Sequence, residues 1–136
     1  MATDATLAAP LELDVAILGG GLAGNLLARQ LRRALPELAI GLFERETSAS
    51  YKVGEATVEI AANYLVRRLG LSSYLYENQL PKNGLRYFFD DAARSLPLHE
   101  MSEIGTQNLP FHPAFQINRA SLEEDLLEMN QRDGVR

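Results

Sequence analysis

The stretch Asp14-Val-Ala-Ile-Leu-Gly-Gly-Gly-Leu-Ala-Gly24 decides how this 136-residue sequence is read. Residues 14–18 form a short, nearly all-apolar run ending in glycines, which predicts a parallel strand buried on both faces. Gly19, Gly21 and Gly24 then fit the spacing G-x-G-x-x-G, with Leu22 and Ala23 inside it. Each glycine has a physical task. Gly19 allows the tight turn out of the strand, Gly21 clears a side chain so that backbone N–H groups can approach a pyrophosphate, and Gly24 lets a helix pack closely on the strand. Apolar residues at Leu22, Ala23, Leu26, Leu27, Leu31, Ala34 and Leu35 follow at helical spacing, and Pro36 ends the run. Ala39-Ile-Gly-Leu-Phe43 is a second strand, closed by Glu44.

The unit is therefore β-α-β, with a glycine turn at the N-terminus of its helix. Such a terminus offers unpaired N–H groups and the positive end of the helix dipole to an anion. Glu44 stands 44 − 24 = 20 residues beyond the last glycine, where an acid accepts the two ribose hydroxyls of a dinucleotide. An acid here disfavours a 2′-phosphate and hence NADP. The fingerprint serves NAD and FAD alike.

Downstream, residues 55–69 are predicted to be helical, with Gly70 as the stop, and Glu55 is read as an acid of the first turn. A shorter helix over residues 72–79 takes Ser72 or Ser73 as N-cap. Asn83-Gly84 is a turn, residues 85–89 a strand, residues 90–113 mostly loop or irregular strand, and residues 114–118 a strand. A last helix covers residues 120–131, with Glu123, Glu124 and Asp125 in its first turn, and Val135-Arg136 reads as the start of a further strand. Arg29, Arg32 and Arg33 read as a solvated helix face, and most of Tyr74, Tyr76, Tyr87, Phe88 and Phe89 as core packing. Residues 1–11 form a flexible N-terminal arm, and residues 12–136 the N-terminal part of a cofactor-binding domain.

Composition narrows the function classes. Thirteen basic against eighteen acidic residues give a net charge of −5, which excludes a strongly basic nucleic-acid face. The absence of cysteine excludes disulfides, thiolate metal sites and a Cys nucleophile. His99 and His112 lie in a loop without further ligands at metal spacing, so no metal is expected. No apolar run reaches the ~20 residues of a membrane span, and residues 1–10 lack the basic start of a secretory signal, so a soluble cytoplasmic protein is expected.

Three stretches carry a resemblance. The glycine turn with Glu44 and Arg45 is shared across FAD-dependent oxidoreductases. Lys52-Val-Gly-Glu-Ala-Thr57 closely resembles the Val-Gly-Glu-Ala-Thr element of tryptophan halogenases, and Pro81-Lys82-Asn83-Gly84 is similar to the Pro-Lys-x-Gly segment of phenol and pyrrole halogenases. Phe115-Gln-Ile-Asn-Arg119 and the helix after it form a weaker match. The sequence thus resembles the flavin-dependent halogenases over residues 14–136, about the first quarter to third of a family member.

The resemblance implies an α/β, Rossmann-type FAD-binding fold (glutathione-reductase-like) present in its N-terminal part, with FAD as cofactor. It implies flavin contacts from Gly54, Glu55, Ala56, Thr57 and Arg119, with Arg45 beside the adenine. It also implies reduced flavin from a separate reductase, and oxygen and halide combined into hypohalous acid. Lys82 matches the lysine that holds this oxidant beside a small-molecule substrate. Tryptophan halogenases have a Tyr/Phe-Lys pair where this sequence has Pro81-Lys82, which points away from tryptophan as substrate. The alternatives are an aromatic hydroxylase or geranylgeranyl-reductase-like enzyme, or a non-catalytic cofactor-binding piece that needs a second polypeptide. A two-strand start on a parallel sheet should leave apolar surface exposed if it stands alone.

Overall fold

The computed structural model describes residues 10–48 and 50–136. The expected arm lies outside the described residues, apart from Pro10 and Leu11. The elements in chain order are β1 (Val15–Leu18), α1 (Leu22–Ala34), β2 (Ile40–Phe43), α2 (Glu59–Asn63), α3 (Ser72–Asn78), β3 (Leu80–Lys82), β4 (Arg86–Phe89), β5 (Ser102–Gly105), β6 (Ala114–Gln116) and α4 (Arg119–Arg132). A π-helical turn, Tyr64–Arg68, continues α2. The chain divides into two compact units, one running to Ser50 and resuming at Ala120–Arg136, the other Tyr51–Arg119.

In the first unit β1 and β2 pair in parallel, with Val15 opposite Ile40 and Leu18 opposite Phe43. The ladder continues on the other edge of β2, where Arg136 N–H donates to the Ile40 carbonyl at 2.9 Å and Leu42 N–H to the Arg136 carbonyl at 2.7 Å. Arg136 thus bonds to β2 as the expected further strand would, while Val135 N–H still bonds back to the Asn130 carbonyl at 2.9 Å. Ile17, Ala28, Ile40 and Val135 form the core, with Val15, Leu31, Leu38 and Leu42 packed against it. β1 is covered on one face only. Ile17 is buried, whereas Leu18 is 84% exposed, so the expectation of a strand buried on both faces fails within this chain. Among the described residues, one face of the parallel ladder has nothing to bury it.

The basic residues of α1 also depart from expectation. Arg29 is buried, and its Nη1 lies 3.3 Å from Oδ2 of Asp133. Burial pushes the Arg29 guanidinium below its ordinary range, and the Asp133 carboxylate pulls it partly back. Arg32 donates from Nε to the Asp133 carbonyl at 2.7 Å and from Nη1 to the Leu38 carbonyl at 2.9 Å. Two of the three arginines thus clamp the C-terminal end of α4 to α1, and only Arg33 is fully exposed.

In the second unit β6 is bridged on both sides. It pairs antiparallel with β3, Lys82 facing Ala114, and Ala56 forms an isolated bridge with Gln116. Phe115 is fully buried, as are Leu69, Leu71 and Leu75. The chain from Gly54 to Thr57 is therefore extended. The helix starts at Glu59 with Val58 as N-cap, and Glu55 is not a first-turn acid. Strand bonds to β6 outcompete the helical periodicity there. Gly70, at φ +67°, ends the π turn as expected. Leu71 rather than a serine is the N-cap of α3, with no side-chain cap bond.

β4 and β5 form an antiparallel pair whose eight residues are all exposed. Tyr87, Phe88 and Phe89 therefore do not pack into a core, whereas Tyr76, 55% exposed, lies edge-on against the fully buried Phe115 with ring centroids 5.3 Å apart. α4 begins one residue earlier than expected. Its first turn then holds no acid, and Glu123 falls on the buried side.

Candidate functional site

The glycine turn of the first unit is built peptide by peptide. Gly19 N–H donates to the Phe43 carbonyl at 2.8 Å, extending the β1–β2 ladder into the turn. Gly19 itself stands at φ +109°, a conformation that L side chains rarely adopt. Gly20 N–H donates to Oε2 of Glu44 at 2.7 Å. Oε1 of the same carboxylate accepts from the N–H groups of Arg45 at 2.7 Å and Glu46 at 3.0 Å. The structure thus brings together the acid and the turn that the sequence spacing linked, and shows a contact that spacing did not contain.

The other glycines have unequal freedom. A Cβ on Gly24 would fall on the Gly19 carbonyl oxygen, so the close packing of helix on strand is real. A Cβ on Gly20 would come within 2.8 Å of Glu44 Cβ. Around Gly21 there is space, and the nearest heavy atom to such a Cβ is Oε2 of the buried Glu123, 3.9 Å away. Gly21 is the N-cap of α1, makes no side-chain cap bond, and is followed by a first turn without acids. These features fit a pyrophosphate: a bare backbone, open space at the central glycine, and helix N–H groups with no side-chain cap. Leu22 and Ala23 open α1 beside it. Arg45 lies exposed at the end of β2, its guanidinium on Oε1 of Glu46 at 3.0 Å.

Two residues that the sequence reading missed hold this turn from behind. Asn25 is fully buried and donates from Nδ2 to the carbonyls of Gly20 and Gly21. Asn130, also fully buried, donates to the Asn25 carbonyl at 3.0 Å and to its Oδ1 at 3.1 Å. A signal for Asn130 existed: it continues the buried stripe Leu122, Leu126 at intervals of four, where a polar residue needs a partner.

In the second unit the Val-Gly-Glu-Ala-Thr element is held as a strand. Ile117 N–H donates to the Glu55 carbonyl at 2.8 Å, and Thr57 N–H to the Phe115 carbonyl at 2.9 Å. The Thr57 hydroxyl donates to the Phe115 carbonyl and accepts from Phe115 N–H, both at 2.8 Å. Gly54 turns at φ +91°, and Arg119 Nη1 donates to the Val53 carbonyl at 2.5 Å. Gly54, Glu55, Ala56, Thr57 and Arg119 therefore gather around one extended segment. Lys82 ends β3, half-buried and opposite Ala114, so it sits on a paired strand rather than in the turn itself.

Among the described residues there is no cluster of His, Cys, Asp or Glu able to hold a metal ion, and no helix is long and apolar enough to cross a membrane.

Comparison with known proteins agrees with this architecture. The flavin-dependent halogenase chlA of Dictyostelium discoideum is 34% identical over 125 residues, covering 85% of this chain and 21% of that protein. The flavin-dependent halogenase malA of Malbranchea aurantiaca is 29% identical, covering 93% of this chain and 19% of that protein. Among solved structures, the myxobacterial chondrochloren halogenase CndH superposes with a TM-score of 0.72 at 25% identity, over 93% of this chain and 28% of that one. The flavin-dependent brominase Bmp2 superposes at 0.69 and 22% identity, over 91% of this chain and 28% of its own. The chain thus spans about a fifth of the length of these curated relatives. It shares the Rossmann-type α/β fold of the N-terminal part of such enzymes. The family model for tryptophan halogenases matches residues 14–88, more than half of the sequence, and the chain belongs to that family.

Proposed function

We propose that this chain is the FAD-holding N-terminal portion of a flavin-dependent halogenase acting on an aromatic or other electron-rich small molecule. The observation that carries this reading is the turn at residues 19–24: its central glycine faces open space, and its N–H at Gly20 is held by Glu44. In the first unit the backbone of Gly21, Leu22, Ala23 and Gly24 receives the pyrophosphate. Gly19 sets the turn, Glu44 takes the ribose hydroxyls, and Arg45 flanks the adenine. In the second unit Gly54, Glu55, Ala56, Thr57 and Arg119 are assigned to the flavin side by the family resemblance.

The cofactor, once reduced by a separate flavin reductase, supplies with oxygen and halide the oxidising power for hypohalous acid. Lys82 then does the work of position. Its ammonium donates hydrogen bonds from Nζ and holds the oxidant beside the substrate carbon, on a strand fixed by its pairing with Ala114. The compartment is the cytoplasm, where a reductase can supply reduced flavin. Pro81-Lys82 stands where tryptophan halogenases have a Tyr/Phe-Lys pair and resembles the Pro-Lys-x-Gly segment of phenol and pyrrole halogenases, which favours a phenol- or pyrrole-like substrate.

The test has two arms. Purified protein incubated with FAD and desalted should retain the flavin absorption bands, and an excess of ADP should compete. Failure to retain flavin overturns the reading. Lys82→Ala, in the polypeptide that carries this chain, should lose halogenated product by about 100-fold or more while reduced flavin is still consumed. Product formation that persists overturns the role of Lys82.

A further inference from the structure

We infer that the buried amide pair Asn25–Asn130 aims the N–H groups of the glycine turn at the anion, which makes both asparagines positioning residues for cofactor binding. The inference rests on the assignment of the turn to the FAD pyrophosphate.

In a trans peptide the C=O and the following N–H point to opposite sides of the chain, and among the described residues there is no cis peptide bond. Asn25 Nδ2 draws the Gly20 carbonyl inward, so Gly21 N–H points outward. The Gly21 carbonyl accepts from Asn25 N–H at 3.0 Å and from Nδ2 at 3.5 Å, so Leu22 N–H points outward as well. Glu44 fixes the preceding peptide through Gly20 N–H. The two peptide planes flanking Gly20 are thereby held by side chains, and the plane after Gly21 chiefly by the backbone N–H of Asn25. The two N–H groups that Asn25 turns outward flank the glycine with open space around it.

Asn25 can do this only if its amide cannot flip. A flip would set Oδ1 against two carbonyl oxygens. Asn130 prevents it by donating to Asn25 Oδ1 at 3.1 Å, and the second bond to the Asn25 backbone carbonyl fixes Asn130 in turn. The pair is retained at a cost, because Oδ1 of Asn130 is buried without a hydrogen-bond partner. Two fully buried amides, one with an orphaned oxygen, are a poor way to fill a core where leucine would serve. They are a good way to orient backbone dipoles before a ligand arrives.

The test uses the double variant Asn25→Leu/Asn130→Leu, which removes both amides together and leaves no buried side-chain amide behind, alongside Asn25→Ser. Dissociation constants for FAD and for ADP come from fluorescence titration, and the variants' melting temperatures from circular dichroism. The double variant should keep a cooperative melt and bind both ligands about 10-fold more weakly or worse, the worth of one to two lost orienting hydrogen bonds. Asn25→Ser, whose hydroxyl can still donate to the Gly21 carbonyl, should recover part of that loss. In ligand-free protein labelled with nitrogen-15, the amide resonances of Gly21 and Leu22 should shift in the double variant. Wild-type affinity in a folded double variant, or unmoved Gly21 and Leu22 resonances, overturns the inference. Wild-type protein that binds neither FAD nor ADP overturns the cofactor assignment itself, a result separable from wild-type uptake with unchanged variants.

Discussion

Two strand pairs of this chain solve the problem of holding together in opposite ways. The parallel pair β1–β2 is short, yet Ile17 and Ile40 bury against α1 and Val135, and three side-chain systems (Glu44, Asn25 with Asn130, and Arg29 with Asp133) lock the turns and helix ends around it. The antiparallel pair β4–β5 has four residues in each strand and buries none of them. Across it Arg86 faces Gly105, Tyr87 Ile104, Phe88 Glu103 and Phe89 Ser102, and Arg86 forms an ion pair with Glu103. A two-stranded pair with both faces exposed is marginal by itself. The first pair is organised around the glycine turn. The second presents Tyr87, Phe88, Phe89 and Ile104 outward.

The contrast can be broken most severely at Gly24. A Cβ there meets the Gly19 carbonyl oxygen, which is backbone and cannot rotate away. Gly24→Val should cost about 3 kcal/mol or more and abolish both the cooperative melt and flavin retention. A melt within a few degrees of wild type would mean that α1 is not packed on β1 as described.

The arginine clamp should give the next largest effect. Asp133→Asn leaves the buried guanidinium of Arg29 without its carboxylate. Because Asp133 is itself half exposed, the loss should be about 1–2 kcal/mol in chemical denaturation rather than the larger penalty of a fully buried pair. The sign with pH is definite. Folding lowers the Arg29 pKa, so folding disfavours its charged form, and stability would rise only as pH climbs towards the guanidinium range. Around neutral pH the contribution of Arg29 is flat. A stability change near neutrality that disappears in Arg29→Met would contradict that.

Glu44 separates structure from binding within the same unit. Glu44→Gln keeps the shape but loses the charge that strengthens three backbone N–H bonds. About 1 kcal/mol of stability should be lost, and FAD affinity should fall about 10-fold as the ribose loses its acceptor. Equal losses for FAD and for flavin mononucleotide, which lacks the adenosine ribose, would show that Glu44 acts only through the fold.

These differences follow what was legible in the sequence. The β-α-β unit was legible because the glycines of its turn answer local requirements: a positive φ at Gly19, a close approach at Gly24, open space at Gly21. Glu44 was legible through its distance along the chain. Arg29 was not, since the partner that buries it lies 104 residues away. Residues 55–57 carry helical periodicity, and their extended form is imposed by β6, some sixty residues on. Lys82 was legible only through its neighbours Pro81 and Gly84, and the strand it ends was not expected at all. Short strands whose partners are distant leave no periodic trace.

β5 shows the same limit from the other side, and it supports the smallest prediction. Ser102–Gly105 has no alternation of apolar and polar residues towards a core, because neither face of the hairpin is covered. Ile104→Ser, on a residue 64% exposed, should therefore change the melting free energy by less than about 0.5 kcal/mol. It should also lower the binding of a hydrophobic dye, since it removes one of four large apolar side chains from the exposed pair. A loss of 2 kcal/mol or more would place Ile104 in a buried contact in solution. The hairpin would then belong with β1–β2 among the elements that hold their shape by burial, and the contrast between the two strand pairs would be one of covering rather than of design.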